Sequence, residues 1–306
     1  MQSPCESTGA SLNEPTARRG GVSWPLVIIV ASLGLLSVLL ASLVFMSPMD
    51  PPVPAPGSIP VGKPAASPLT VYCAASNRAV MEAVRKDYEA EFGTPVQVQY
   101  GASQALLASI GVSRTGDVYL PADDSFVAKA RDRNLVASDA PLADMHAVLA
   151  VLKGNPHGIT TLADLLTKEL RLAQGNPEST GIGVVTQRTL SALGQWDALK
   201  AKTTVFKTTV NEVANDVKLQ AVDAGIVYDV VLHDYETLEA VTLPELRDAR
   251  SRVAVCVLTT SAQPQAAQHF VRYLGASDRG LKRYAEFGFQ PVAGEPWSDP
   301  SQAAQP

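Results

Sequence analysis

The chain has 306 residues, 46% of them hydrophobic, enough to bury a sizeable core and to build two modest domains with appendages. A net charge of −5 leaves no basic field to release counterions, which excludes a general nucleic-acid binder but not a small-anion receptor. Three cysteines (Cys5, Cys73, Cys256) and four histidines (His146, His157, His233, His269) show no CxxC, no His-x3-His and no other metal-ligand spacing, so no zinc site is expected.

Residues 1–24 are largely polar, carry the basic pair Arg18-Arg19 and read as a disordered cytoplasmic tail. Residues 25–46 (PLVIIVASLGLLSVLLASLVFM) form an uncharged apolar run. About 20 such residues suffice to span a bilayer core as a helix. The basic pair before the run, with Asp50 after it, predicts a cytoplasmic N-terminus and an extracytoplasmic remainder: a single-pass membrane anchor. A cleaved signal peptide is the alternative, although its apolar region is normally about 7–15 residues long and no Ala-x-Ala site follows Met46. No cysteine follows the run as a lipid acceptor. Residues 47–68 are dense in proline and read as a semi-extended spacer rising about 3 Å per residue.

The folded region begins at Leu69-Thr-Val-Tyr-Cys-Ala-Ala-Ser76, a buried strand followed by a small-residue turn and a serine placed to cap a helix. Val80, Val84 and Tyr88 give that helix an apolar face. The pattern recurs: an alternating strand over 94–100, then Gly101-Ala-Ser103 and a helix; a short strand over 115–120, then Pro121-Ala-Asp-Asp-Ser125 and a helix to about Arg133. Residues 147–152 are another buried strand, and Thr160-Thr161 open the helix LADLLTKEL. A strand over 171–174 leads through the loop Gly175 to Gly183 to a helix from Val184 to Leu193, ended by Gly194 and the Trp196-Asp197 pair. A strand over 203–206, a turn over 208–213 and a helix over 214–221 follow, then strands over 225–228 and 252–258. Helices over 264–274 and up to Phe287 close the fold, and 293–306 read as disordered. Strands alternating with helices predict a parallel α/β sheet.

The starts at Ser76, Ser103 and the Ser179 to Gly183 loop, with a polar start at Asn211-Glu-Val213, are four places where backbone N–H groups and a helix dipole face a crevice. If they converge, they hold an oxyanion without any fixed positive charge. One such turn alone is ordinary.

The segments Leu69 to Ser76, Tyr100-Gly-Ala-Ser103 with Leu106, Gly116-Asp-Val-Tyr-Leu-Pro-Ala-Asp123, Leu172-Ala-Gln-Gly-Asn-Pro-Glu178, Leu193-Gly-x-Trp196-Asp, Gly225-Ile-Val-Tyr228 and Tyr284-x-x-Phe-Gly-Phe289 occur in an order that resembles the periplasmic molybdate-binding proteins of ABC importers, over about residues 69–291. The resemblance implies a two-lobed type II periplasmic-binding-protein fold, with one lobe from 69–144 plus 251–292 and the other from 145–250, joined by hinge strands. It implies molybdate or tungstate as ligand, an ABC permease as partner, a monomer, no cofactor and no catalysis. Carried over by position, the ligand-binding residues are the Ser76 and Ser103 hydroxyls with their N–H groups, the Ile182 and Val213 N–H groups and the Tyr228 hydroxyl; the Asp117 to Asp123 segment is support. The loop Ser-Thr-Gly-Ile-Gly departs from the family's Pro-Ala-Gly. Arg78 is read as a charge-assisted contact or a solvated side chain, Asp229 as a group that must point away, and Glu178 and Glu212 as metal-shell carboxylates or loop and cap residues. Cys73 and Cys256 are read as buried free thiols, a disulfide being the alternative.

Other readings stand beside this one: a receptor for sulfate or phosphate, or a tethered sensor with no transport role. A ferric iron receptor lacks the necessary cluster of Tyr, His and carboxylates. A hydrolase is disfavoured because Gly101-Ala-Ser103-Gln-Ala lacks the second glycine of a nucleophile elbow.

Overall fold

In the computed structural model, which describes residues 67–298, alternation decides the first strand. In β1 (Leu69–Ala74), Leu69, Val71 and Cys73 enter the larger apolar core while Tyr72 points to a smaller cluster on the opposite face of the sheet. Strand β1 lies between β2 (Val96–Gly101) and β3 (Val118–Leu120), parallel to both. Helix α1 (Arg78–Phe92) buries Val80, Met81, Val84 and Tyr88 and ends at Gly93, whose φ of 65° suits a residue without a Cβ. Helices α2 (Ser103–Ser113) and α3 (Asp124–Asp132) follow β2 and β3.

The long strand β4 (Val136–Leu152) runs through both halves of the sheet system. Over Val136 to His146 it pairs antiparallel with β9 (Arg250–Leu258), and over Ala147 to Ala150 with β7 (Ala224–Tyr228). The second sheet adds β5 (Leu172–Gly175), parallel to both β7 and β6 (Val205–Lys207), while β8 (Leu238–Val241) pairs with the end of β4. Its helices are α4 (Leu162–Thr167), α5 (Gly181–Ala192), α6 (Trp196–Lys202) and α7 (Val210–Lys218). The chain returns to the first sheet through β9 and closes it with α8 (Pro264–Leu274), α9 (Gly280–Glu286) and the short β10 (Gln290–Pro291), which pairs with β4. The result is a mixed α/β fold of two lobes.

Several sequence expectations need correction. The first half of β4 is absent from the pattern reading because Asp139, Pro141 and Asp144 are poor strand formers; pairing with β9 over nine residue pairs overrides them. Helix α7 begins at Val210, four residues before the expected start. Trp196 opens helix α6 rather than ending α5, and α4 stops at Thr167. The expected disorder from residue 293 does not extend over 293–298. Trp297 N–H donates to Asp278 Oδ1 at 2.7 Å, Ser277 N–H donates to the Glu295 carbonyl at 3.0 Å, and the Trp297 ring stands 5.7, 5.1 and 5.5 Å from Phe92, His269 and Tyr273. The expected tail at 1–24, the membrane span at 25–46 and all but the last two residues of the spacer at 47–68 lie outside the described residues. Among the described residues no helix is long and apolar enough to cross a membrane.

Cys73 sits opposite Leu120, and Cys256 opposite Tyr119, so β3 separates them. Two strand spacings, about 10 Å, exceed the reach of a disulfide at about 7 Å. The two thiols also occupy different core clusters, Cys73 against the larger one and Cys256 in the smaller. Both are free and buried. Burial pushes the Cys73 thiol far above its ordinary range and the Cys256 thiol up to about 12. Alkylation of the native chain should therefore spare both, whereas denaturation without reductant should expose both. A chain that needs reductant before Cys73 and Cys256 react would overturn this strand order.

Candidate functional site

Four strand-to-helix junctions meet between the lobes, and each start is built differently. Before α1 the chain makes one 3-10 turn, Ala75–Asn77, after extended Ala74. Ser76 therefore lies inside the first turn and caps nothing, contrary to expectation; its Oγ instead accepts from Asn77 Nδ2 at 3.3 Å. At α2 the extended residue is Ala102, so Ser103 is the first helical residue. Its Oγ accepts from Ala122 N–H at 3.1 Å, and its carbonyl accepts from the Tyr119 hydroxyl at 2.8 Å. Thr180 caps α5 by accepting from Gly183 N–H at 3.0 Å. Thr209 caps α7 in a reciprocal box, accepting from Glu212 N–H at 3.3 Å while Glu212 Oε2 accepts from Thr209 N–H at 3.1 Å.

First-turn N–H groups have no acceptor within their own helix. Here these include Ala75, Ser76, Ser103, Gly181, Ile182 and Val210, all of which line one cavity of about 20 Å³. Among the described residues no charged side chain lines it. Tyr228, at the end of β7, brings its hydroxyl to the same place; the ring is fully buried and the hydroxyl has no hydrogen-bond partner among the described residues. Burial, and next the Asp123 charge, push the Tyr228 phenol well above its ordinary range. The Ser251 hydroxyl offsets part of that shift without reaching hydrogen-bond geometry. Tyr228 is thus a protonated donor at any ordinary pH.

The structure brings Ser76, Ser103, Ile182 and Tyr228 together and leaves Val213 out. Val213 is the fourth residue of α7, where an N–H already has an acceptor in its own helix, and its side chain is wholly buried. Val210 takes the place at the cavity that the resemblance gave to Val213. The Thr209-x-x-Glu212 pattern was the available signal for that helix start. Gly181 was also missed. A Cβ there would stand 2.9 Å from both the Ala122 Cβ and the Tyr228 hydroxyl, so only glycine lets α5 approach the other lobe this closely. A Cβ on Gly183 would meet backbone of Gly175 and Asn176 at 2.6 Å. The Gly-Ile-Gly sequence is what permits this helix start.

The remaining candidates face elsewhere. The Arg78 guanidinium lies 4.4 Å over the Tyr100 ring. Asp229 Oδ1 accepts from the N–H groups of His146 and Val230, at 3.0 and 2.9 Å. Glu178 is an exposed loop residue and Glu212 is occupied by the cap. Asp117 accepts from Thr70 N–H and the Ser261 hydroxyl, and Asp123 caps α3 through Ser125 N–H. Across the lobes, Gln104 N–H donates to the Ser179 carbonyl at 3.2 Å.

The profile of bacterial extracellular solute-binding proteins matches residues 69–290. Among curated relatives, YvgL of Bacillus subtilis, assigned by name as an ABC transporter substrate-binding lipoprotein, is 28% identical over 228 residues, spanning 72% of this chain and 85% of its own. The molybdate-binding protein ModA of Escherichia coli is 26% identical, spanning 67% and 87%. Among solved structures, the sulfate-binding protein SubI of Mycobacterium tuberculosis shares the fold with a TM-score of 0.66 at 19% identity, covering 78% of this chain and 89% of SubI.

An unpaired buried hydroxyl costs about 1–3 kcal/mol. Tyr228→Phe should leave the thermal midpoint of the ligand-free chain unchanged or raised. A fall of several degrees would show that the hydroxyl has a partner within the protein.

Proposed function

The chain belongs to the bacterial extracellular solute-binding proteins, and on that premise we propose that it captures molybdate or tungstate between its lobes and presents the ion to an ABC permease. It is a binding protein, not an enzyme. The observation that carries the ligand reading is the donor shell: first-turn N–H groups of four helices, two serine hydroxyls and an unpartnered tyrosine hydroxyl around a cavity with no charged side chain. Such a shell suits a small ion that offers only acceptors. The cavity holds about one or two water-sized spheres, which favours a compact ion over a sugar or a peptide.

Proton count narrows the choice. Phosphate keeps a proton through much of the neutral range, and that proton needs an acceptor; no carboxylate lines the cavity. Molybdate, tungstate and sulfate carry none. The likeness to ModA, throughout most of both chains, supports molybdate among these. Capture is then coupled to closure, because the donors of α1 and α2 and those of α5 and α7 reach one ion only when the lobes meet. The apolar run at 25–46 and the proline-rich stretch after it support a tether that holds the receptor outside the membrane, near its permease.

Calorimetry on the full-length chain with molybdate, tungstate, sulfate and phosphate tests this. Tight binding of the first two, weak binding of sulfate and none of phosphate are expected. The molybdate affinity should stay level from about pH 6 to pH 9. Among the described residues Tyr228 is the one titratable side chain at the cavity, and its raised phenol keeps its proton until the pH climbs through that raised value. Silence with all four ions in a folded sample would sink the oxyanion reading, and a preference for sulfate would replace the ligand.

A further inference from the structure

The two serine hydroxyls at the cavity are held by different means. A hydroxyl has one hydrogen to give and lone pairs that accept. Ser103 Oγ accepts from the backbone N–H of Ala122, which can only donate, so its own hydrogen is left for the cavity. Ser76 Oγ accepts from the Nδ2 of Asn77, a side-chain amide that presents a donor on one side and an acceptor on the other. On the other side of the amide the Tyr284 hydroxyl donates to Asn77 Oδ1 at 3.4 Å; a phenol hydroxyl also accepts, so it follows the amide, and an anion that draws the Ser76 hydrogen selects the sense seen here. Asn77 and Tyr284 are both completely buried, so no solvent competes for either group. The reversed amide would present its oxygen to Ser76, draw the serine hydrogen away from the cavity and leave a lone pair facing the anion.

We propose that Asn77 is a positioning residue that gives its Nδ2 hydrogen to Ser76 Oγ and so holds the Ser76 hydroxyl with its own hydrogen toward the bound oxyanion. The proposal rests on the reading that the cavity holds an oxyanion. Asn77 does not touch the ion and acts through Ser76. Ser103 needs no such partner, because a backbone N–H cannot reverse. At Ser103 the partner is backbone, and in the Tyr284-Asn77-Ser76 chain it is a buried side-chain amide.

A double-mutant cycle read by calorimetry with molybdate separates this from a packing role. Asn77→Leu, of similar size but with no donor, should lower the affinity of the full-length chain about tenfold, in line with a charge-assisted hydrogen bond lost or misdirected. In a Ser76→Ala background the same change should lower it less than twofold, since the group it positions is gone. Tyr284→Phe, which removes only the hydroxyl that partners the amide oxygen while Nδ2 faces Ser76, should cost about threefold with Ser76 present and nothing without it; this variant decides the matter if Asn77→Leu does not fold. Equal losses in both backgrounds, or no loss in either, would overturn the proposal while leaving the oxyanion reading intact. A wild-type chain that binds none of molybdate, tungstate, sulfate and phosphate would overturn both.

Discussion

A doubly charged ion taken out of water must regain the hydrogen bonds it gives up, and on the proposed function the site between the lobes meets that requirement. Desolvating an ion costs several kcal/mol even in a relaxed protein site. A hydrogen bond to a charged group returns about 1.5–3 kcal/mol, and a helix N-terminus adds up to about 2 kcal/mol where partly buried. Several such donors together can offset the cost without a lysine or arginine at the cavity. On the proposed function that choice has a chemical consequence: a shell that offers hydrogens and takes none suits an anion with no proton left.

The scaffold follows from the same need. Parallel strands place the starts of their following helices at one end of a sheet, and two sheets facing each other bring two pairs of starts together. Strand β4, shared by both sheets, and β9, which returns the chain to the first, connect the halves. Backbone can then approach backbone only where side chains are small. Gly181 against Ala122 is one such meeting, and the Tyr228 hydroxyl shares the space with them. Fold, glycine placement and donor geometry are thus parts of one arrangement.

Much of this was legible in the sequence, for identifiable reasons. Strand-to-helix turns announce themselves where the apolar period changes, so the starts near Ser76, Ser103 and Tyr228's strand were readable residue by residue. What was not legible is what depends on distant partners. The first half of β4, interrupted by Pro141 and two aspartates, is a strand because β9 pairs with it. Ser76 looked like a cap, but the 3-10 turn Ala75–Asn77 moves it one step inward and frees its hydroxyl for another use. Val213 was placed by likeness to a family, three residues beyond the residue that the Thr209 cap brings to the cavity. Convergence of the four starts on one point is a property of the tertiary fold, and no local pattern contains it.

The proposed function requires the ion to sit between the lobes. The most direct measurement is anomalous diffraction at a tungsten absorption edge from crystals of the chain grown with tungstate. The account predicts a single strong peak within hydrogen-bonding reach, through the ion's oxygens, of the Ser76, Ser103 and Tyr228 hydroxyls and the N–H groups of Ile182 and Val210. A peak on another surface, or an ordered and closed cavity with no peak in it, would contradict it.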